Sequence, residues 1–231
     1  MGVQIFERSA DLLEIGTGLY TWENGFKVLE TINIFDVACQ NIEFISSLNM
    51  IDKDYGLIKS TKFSSESCFC FIPRLEIHRA LVQACKAAGV KIETNANIVS
   101  ADPTGSVQFK NGRVVKADLI VEADGVQSKT RDSLKILDRK ETINNGDWRA
   151  LISRIDEGKL GIVQEAFSHP FNKEVWLNSF PHLESIINRI DGARLDKNFY
   201  YIYLNFWKEG RVAILEDAAH GIEPNMGQEP G

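Results

Sequence analysis

Cysteine is scarce in this 231-residue chain, and the four present form no metal or redox motif. Cys39, Cys68, Cys70 and Cys85 show no C-x-x-C spacing and no clustered histidines beside them. The expectation is therefore no metal site, and small apolar side chains kept reduced in a cytosol. Positive charge is also short. Lys and Arg number 26 against 32 Asp and Glu, for a net charge of −6, and the cations are scattered. That excludes the clustered basic surface through which proteins release counterions from nucleic acid, so no nucleic-acid partner is expected. No apolar run approaches the ~20 residues that span a bilayer. The start "MGVQIFERSADLL" continues polar where a signal peptide would be apolar, and Phe6 stands where a myristoylation site needs Ser or Thr. The chain reads as cytoplasmic, with no membrane partner. Internal repeats and low-complexity linkers are missing too.

What is there is ordinary globular composition, 44% hydrophobic and 25% charged, enough for one large domain or two small ones. "VQIFERS" alternates apolar residues as a strand and ends on Glu7. "TWENGFKVLETINIFDVAC" sets Phe26, Leu29 and Ile32 at helical spacing, with Glu23 early, where the helix dipole favours an acid. A β-leaning stretch runs from Ile42 to Phe71. "PRLEIHRALVQACKAAG" is the clearest helix: Pro73 sits where a missing N–H costs nothing, Leu81, Ala84, Cys85 and Ala88 share a face, and Gly89 ends it. Asn111-Gly112 between "VQF" and "VV" predicts a type I′ hairpin. "DLIVEADG" predicts a strand buried on both faces, as in a parallel sheet. From Arg131 to Phe199 the pattern weakens, with "WRALISRI" a possible strand, "FPHLESIINRI" a short helix and "FYYIYLNF" an aromatic β-run. Val212 to Leu215 predicts a closing strand that opens onto Glu216, Asp217 and a loop rich in Gly and Pro. The order of elements gives an α/β domain with a β-rich insertion.

Three segments, "VQIFERS", "ADLIVEADGVQSKTRDSL" and "GRVAILEDAAHGIEPNMGQEPG", together resemble the class A FAD-dependent monooxygenases, the p-hydroxybenzoate hydroxylase-like group that hydroxylates aromatic rings. They match its strand ending on an acid, its Asp-Gly motif and its Gly-Asp motif with the Pro-x-x-Gly-Gln loop. "PRLEIHRALVQA" matches its Arg-x-x-Leu/Ile-His pattern. "GTGLYTWENGFKVLE" and "EVWLNSFPHLE" look most like the 2-methyl-3-hydroxypyridine-5-carboxylate oxygenase branch. The resemblance implies a Rossmann-like FAD-binding domain with a shortened β-rich substrate domain. It implies FAD as cofactor, NAD(P)H as co-substrate, and a small aromatic substrate and dioxygen as partners. The implied boundaries are FAD-binding parts over 1–62, 73–140 (with the hairpin) and 208–231, a β insertion at 63–72, and the substrate-domain sheet over 141–207.

Carried over by motif, Glu7 would accept the adenosine ribose hydroxyls, with Arg8 beside the adenine. The alternative for Glu7 is a solvated strand end. Arg74 would be the flavin-side arginine or else a surface charge. Asp124 and Gly125 would meet the pyrophosphate region and the nicotinamide nucleotide, with Ser128 and Arg131 holding that turn in shape or else serving only as a helix cap and a first-turn salt bridge. Asp217 would accept ribitol or ribose hydroxyls, and Pro224, Gly227 and Gln228 would wrap the flavin. His220 reads as a packing residue. No catalytic residue is carried over.

The sequence departs from the group in three ways. The group begins with a strand and a G-x-G-x-x-G turn whose helix N-terminus binds pyrophosphate. Here the expectation is that this first strand and turn are absent, leaving an unfilled slot beside the strand that ends at Asp124, and that the chain also stops short of the helix after the closing loop. Glu216 and Glu229 stand where the group has glycine. A carboxylate within ~4 Å of a phosphate costs about 4 kcal/mol at an effective dielectric near 20, but only a few tenths if it swings into water. Asp124 and Asp217 also lie closer in sequence than in the group, so the substrate-facing sheet should be short. A non-catalytic remnant serving as a binding module without flavin is the competing reading. A nicotinamide-only dehydrogenase would leave the closing motif unexplained.

Overall fold

The computed structural model describes residues 2–12, 18–40, 42, 44–51, 56–64, 69–149, 165–166, 172–190 and 194–222. In chain order the elements are β1 (Gln4–Phe6), β2 (Gly18–Thr21), α1 (Glu23–Thr31), α2 (Phe35–Ala38), β3 (Ser47–Ile51), β4 (Leu57–Lys62), β5 (Cys70–Pro73), α3 (Arg74–Ala87), β6 (Lys91–Glu93), β7 (Ile98–Asp102), β8 (Ser106–Phe109), β9 (Val114–Lys116), β10 (Ile120–Glu122), α4 (Lys129–Leu134), β11 (Leu137–Arg149), β12 (Glu165–Ala166), α5 (Lys173–Ser179), α6 (Glu184–Ile187), β13 (Arg194–Leu204), β14 (Lys208–Glu209), β15 (Val212–Ile214) and α7 (Asp217–His220). Mixed helices and short strands of this kind make an α/β fold. Among the described residues, no helix is long and apolar enough to cross a membrane.

The chain divides into two compact units. One comprises Met1–Leu12, Val90–Gly146 and Asp196–Gly231, and the other Leu13–Gly89 with Asp147–Leu195. In the first, β1 pairs in parallel with β6, β10 pairs in parallel with β15, and β15 pairs antiparallel with β14. β7, β8 and β9 form an antiparallel meander. One core joins them: Val107, Phe109, Ile120, Ile136, Val212, Ile214, Ala218 and Ala219 are buried together, with Phe6 packed against them. Phe6 meets Phe109 edge to face at 5.0 Å, and the Arg113 guanidinium lies 3.9 Å over the Phe109 ring.

In the second unit, β2 and β5 pair antiparallel beside α1, α2 and α3 around Phe26, Leu29, Ile34, Cys70, Ile72 and Ala80. α1 opens with a Glu23–Lys27 ion pair one turn apart and stops at Asn33, whose φ of 57° is left-handed. Gly89, at φ 72°, closes α3 as the sequence expects.

Four expectations change in detail. Ile32 ends α1 at 43% exposure and does not extend its buried face. In α3 it is Ala80, with Ile77 and Ala84, that packs, while Leu81 is exposed. The β8–β9 turn is not type I′. Only Gly112 has positive φ, and the Phe109 amide donates to the Arg113 carbonyl around three intervening residues, which is the geometry of a type I turn followed by a glycine bulge. β10 is buried on one face only: Ile120 and Glu122 point inward, whereas Val121 is 54% exposed. "FPHLESIINRI" does form a 3₁₀ turn, Pro181–Leu183, running into α6, and the aromatic run is β13. Of "WRALISRI", Trp148 and Arg149 end β11, and the rest lies outside the described residues.

Candidate functional site

The β10–β15 pairing decides where the two acidic turns go. The strands are parallel, with Ile120 opposite Val212 and Glu122 opposite Ile214, and the Leu215 amide donates to the Glu122 carbonyl at 2.8 Å. Both strands therefore end at the same level, and their next residues leave side by side. Asp124 stands two residues past Glu122 as Glu216 stands two past Ile214, with Asp217 following. Both aspartates are exposed. The outer carboxyl ends of parallel strands are where open α/β sheets bind ligands.

A single guanidinium ties the turns together. Arg131 is fully buried on α4, and its Nη1 donates to the Ala218 carbonyl at 3.1 Å while Nη2 donates to the Val126 carbonyl at 3.2 Å. Nε and Nη2 also both reach Asp132 Oδ1. The Ser128 hydroxyl caps α4 by accepting from the Arg131 amide, and the Ser128 amide donates to Gly125. Ser128 and Arg131 thus hold the turn as a cap and an ion pair, and Arg131 reaches the second turn as well. Gly125 takes a φ of 81°, and a Cβ there would meet only open space. Gly221 is the opposite case: a Cβ would lie 2.8 Å from Val126 Cγ1 and 3.2 Å from Ile202 Cγ1. The segment after α7 packs directly on the Asp124 turn.

Two glutamates change the character of the strand ends. Glu216 has φ 52° and ψ −146°, a region that side chains with a Cβ rarely occupy, and it is exposed. Outward placement shrinks the electrostatic penalty expected from sequence and leaves backbone strain as the larger cost. Glu122 is only 6% exposed. Burial pushes its carboxyl up to about 7, the Asp124 charge adds to the rise, and the Thr130 hydroxyl pulls it partly back. Thr130 Oγ1 is itself buried without a partner in hydrogen-bonding geometry, so that relief is slight. One more cation completes the turn. Lys140 on β11 donates to Gln127 Oε1 at 2.7 Å and to the Val126 carbonyl at 3.2 Å.

The remaining predicted site residues fall as follows. Glu7 directly follows β1, half-buried, and its Oε1 accepts from the Ser9 amide at 2.7 Å; Arg8 beside it is exposed. Among the described residues no hydrogen bond joins Glu7 or Arg8 to either turn, and the connection is the core they share through Phe6. Arg74 is half-buried at the start of α3, in the other unit. Pro224, Gly227, Gln228 and Glu229 lie outside the described residues. His220 packs, its ring stacked at 4.9 Å on Trp207. Sequence reasoning missed Glu122, Lys140 and Gly221. An acid inside an apolar strand was a signal for the first. Lys140 and Gly221 are marked only by partners distant along the chain.

No family model matches the chain. It is 29% identical over 268 residues to a probable 2-heptyl-3-hydroxy-4(1H)-quinolone synthase of Rhodococcus erythropolis, covering 99% of this chain and 70% of that one. In an alignment of 139 positions it is 31% identical to an FAD-dependent monooxygenase of Aspergillus terreus, covering 55% of this chain and 41% of the relative. Among solved structures, the tetrameric form of 2-methyl-3-hydroxypyridine-5-carboxylic acid oxygenase superposes with a TM-score of 0.85 at 27% identity, over 96% of this chain and 70% of that one. The homologues of this chain are FAD-dependent monooxygenases, the 2-methyl-3-hydroxypyridine-5-carboxylic acid oxygenase branch among them, a set consistent with the class A flavin aromatic hydroxylase-like group.

Proposed function

We propose that the chain acts in the cytoplasm as an FAD-dependent monooxygenase, using NAD(P)H and dioxygen to hydroxylate an aromatic or N-heteroaromatic ring. The observation that carries this reading is the side-by-side exit of the Asp124 and Asp217 turns from adjacent parallel strands, stitched by Arg131. The acceptor set suits the hydroxyl-rich part of FAD. Asp217 accepts from the ribityl or ribose hydroxyls, Glu7 from the adenosine ribose, and the side-chain-free face of Gly125 leaves room for close approach. Arg8 lies by the adenine, Arg74 serves the flavin side, and Pro224, Gly227 and Gln228 wrap the ring system. FAD supplies the redox chemistry, and the protein binds, orients and excludes water.

In this reading β1 and β10 flank the place of a central strand and glycine-rich turn not found among the described residues, and β11 with β13 belongs to a shortened substrate-domain sheet. Among the described residues β1 pairs only with β6 and β10 only with β15, and Val3, Ile5, Leu119 and Val121 stay exposed. A non-catalytic binding module is the second reading, favoured by the strained Glu216 at the strand end.

The test is to mix the purified protein with FAD, desalt it and record the flavin spectrum. Retained flavin, with NADH or NADPH oxidation stimulated by a hydroxypyridine carboxylate or a quinolone, supports the enzyme. Colourless protein refutes it and supports the second reading.

A further inference from the structure

Arg131 belongs to the Asp-Gly motif, but a second cation from another part of the chain acts on the same turn. Lys140 projects from β11, and its Nζ lies 4.5 Å from the centre of the Tyr200 ring on β13. From there it donates to Gln127 Oε1 at 2.7 Å and to the Val126 carbonyl at 3.2 Å. Val126 O is thus shared by two cations, since Arg131 Nη2 reaches it at the same distance. The Val126 side chain meanwhile meets the backbone at Gly221. An ammonium held against an aromatic face and aimed at a carbonyl is directional and resists displacement. The residues it grips are the two between Gly125 and Ser128, whose amide–carbonyl bond closes the turn.

We propose that Lys140 is a positioning residue. Braced on Tyr200, it fixes the turn from Asp124 to Ser128 and thereby sets the placement of Asp124 relative to Asp217 that cofactor binding requires. The first part rests on geometry alone. The second rests on the flavin reading above. Lys140 itself touches no reacting group. It lies outside the Asp-Gly motif, at a strand position whose neighbours are Arg139 and Glu141 paired to each other.

The experiment compares the intact protein with Lys140→Met and Lys140→Arg by two readouts. One is amide hydrogen exchange over residues 124–128, where the Ser128 amide reports closure of the turn. The other is FAD affinity by fluorescence titration. The expected result is at least tenfold faster exchange there in Lys140→Met, with exchange in the β7–β9 meander unchanged, FAD binding weakened about tenfold, and both restored in Lys140→Arg. Unchanged exchange in Lys140→Met overturns the proposal. Faster exchange with undiminished FAD affinity overturns its second part. If the intact protein binds no FAD yet Lys140→Met still loosens the turn, the flavin reading fails while the role of Lys140 in fixing the turn stands.

Discussion

Replacing Glu216 by glycine should stabilise the protein, although it removes a side chain. At φ 52° and ψ −146° the residue sits where a Cβ crowds its own backbone, a strain of about 1–3 kcal/mol. Two terms oppose the gain. Glycine makes the unfolded chain more flexible, which costs about 0.4–1 kcal/mol. The Glu216 carboxylate precedes α7, where an acid at a helix N-terminus contributes about 0.3–1 kcal/mol. The net is a gain of about 1 kcal/mol, or about 2–4 °C in Tm for a chain of this length. Thermal unfolding followed by circular dichroism reads it. Glu216→Ala separates the causes, because it removes the charge and keeps the Cβ, so its Tm should stay level or fall. An alanine variant that gains as much as the glycine variant would place the effect in charge and refute the strain argument.

Glu122 makes stability depend on pH. Its folded carboxyl is raised from 4.5 to about 7, so between those values the unfolded chain releases its proton first and stability falls as pH rises, by about 3 kcal/mol in all. Below about 4.5 and above about 7 this contribution is flat. Glu122→Gln should remove the slope, as denaturant melts at pH 5, 6 and 7.5 would reveal; an unaltered slope would assign it to other groups. Gly221→Ala should destabilise by about 1–3 kcal/mol, since its Cβ would lie 2.8 Å from Val126 Cγ1. A neutral result in chemical denaturation would mean that the two turns do not pack as described.

What the sequence made legible follows from the range of each signal. β10 and β15 were readable because apolar runs ending on acids are local patterns, and the Ser128 cap because it is a matter of three residues. The closure of Arg131 onto Ala218 was not readable, because it spans 87 positions and depends on the β10–β15 register. The one-sided burial of β10 was missed for a related reason. Apart from Glu122 its residues look apolar, yet burial of Val121 depends on what covers that face, which the strand's own letters do not specify. The positive φ of Glu216 was invisible as a number, but the expected glycine at that position foreshadowed it.

Calorimetric titration of FAD into the intact protein and into Asp217→Ala and Asp124→Ala tests the central claim, that the two strand-end turns form one cofactor-binding edge. The account predicts saturable binding that each substitution weakens at least tenfold, the loss of about one charged hydrogen bond. Binding indifferent to both substitutions, or no binding by the intact protein, would contradict it.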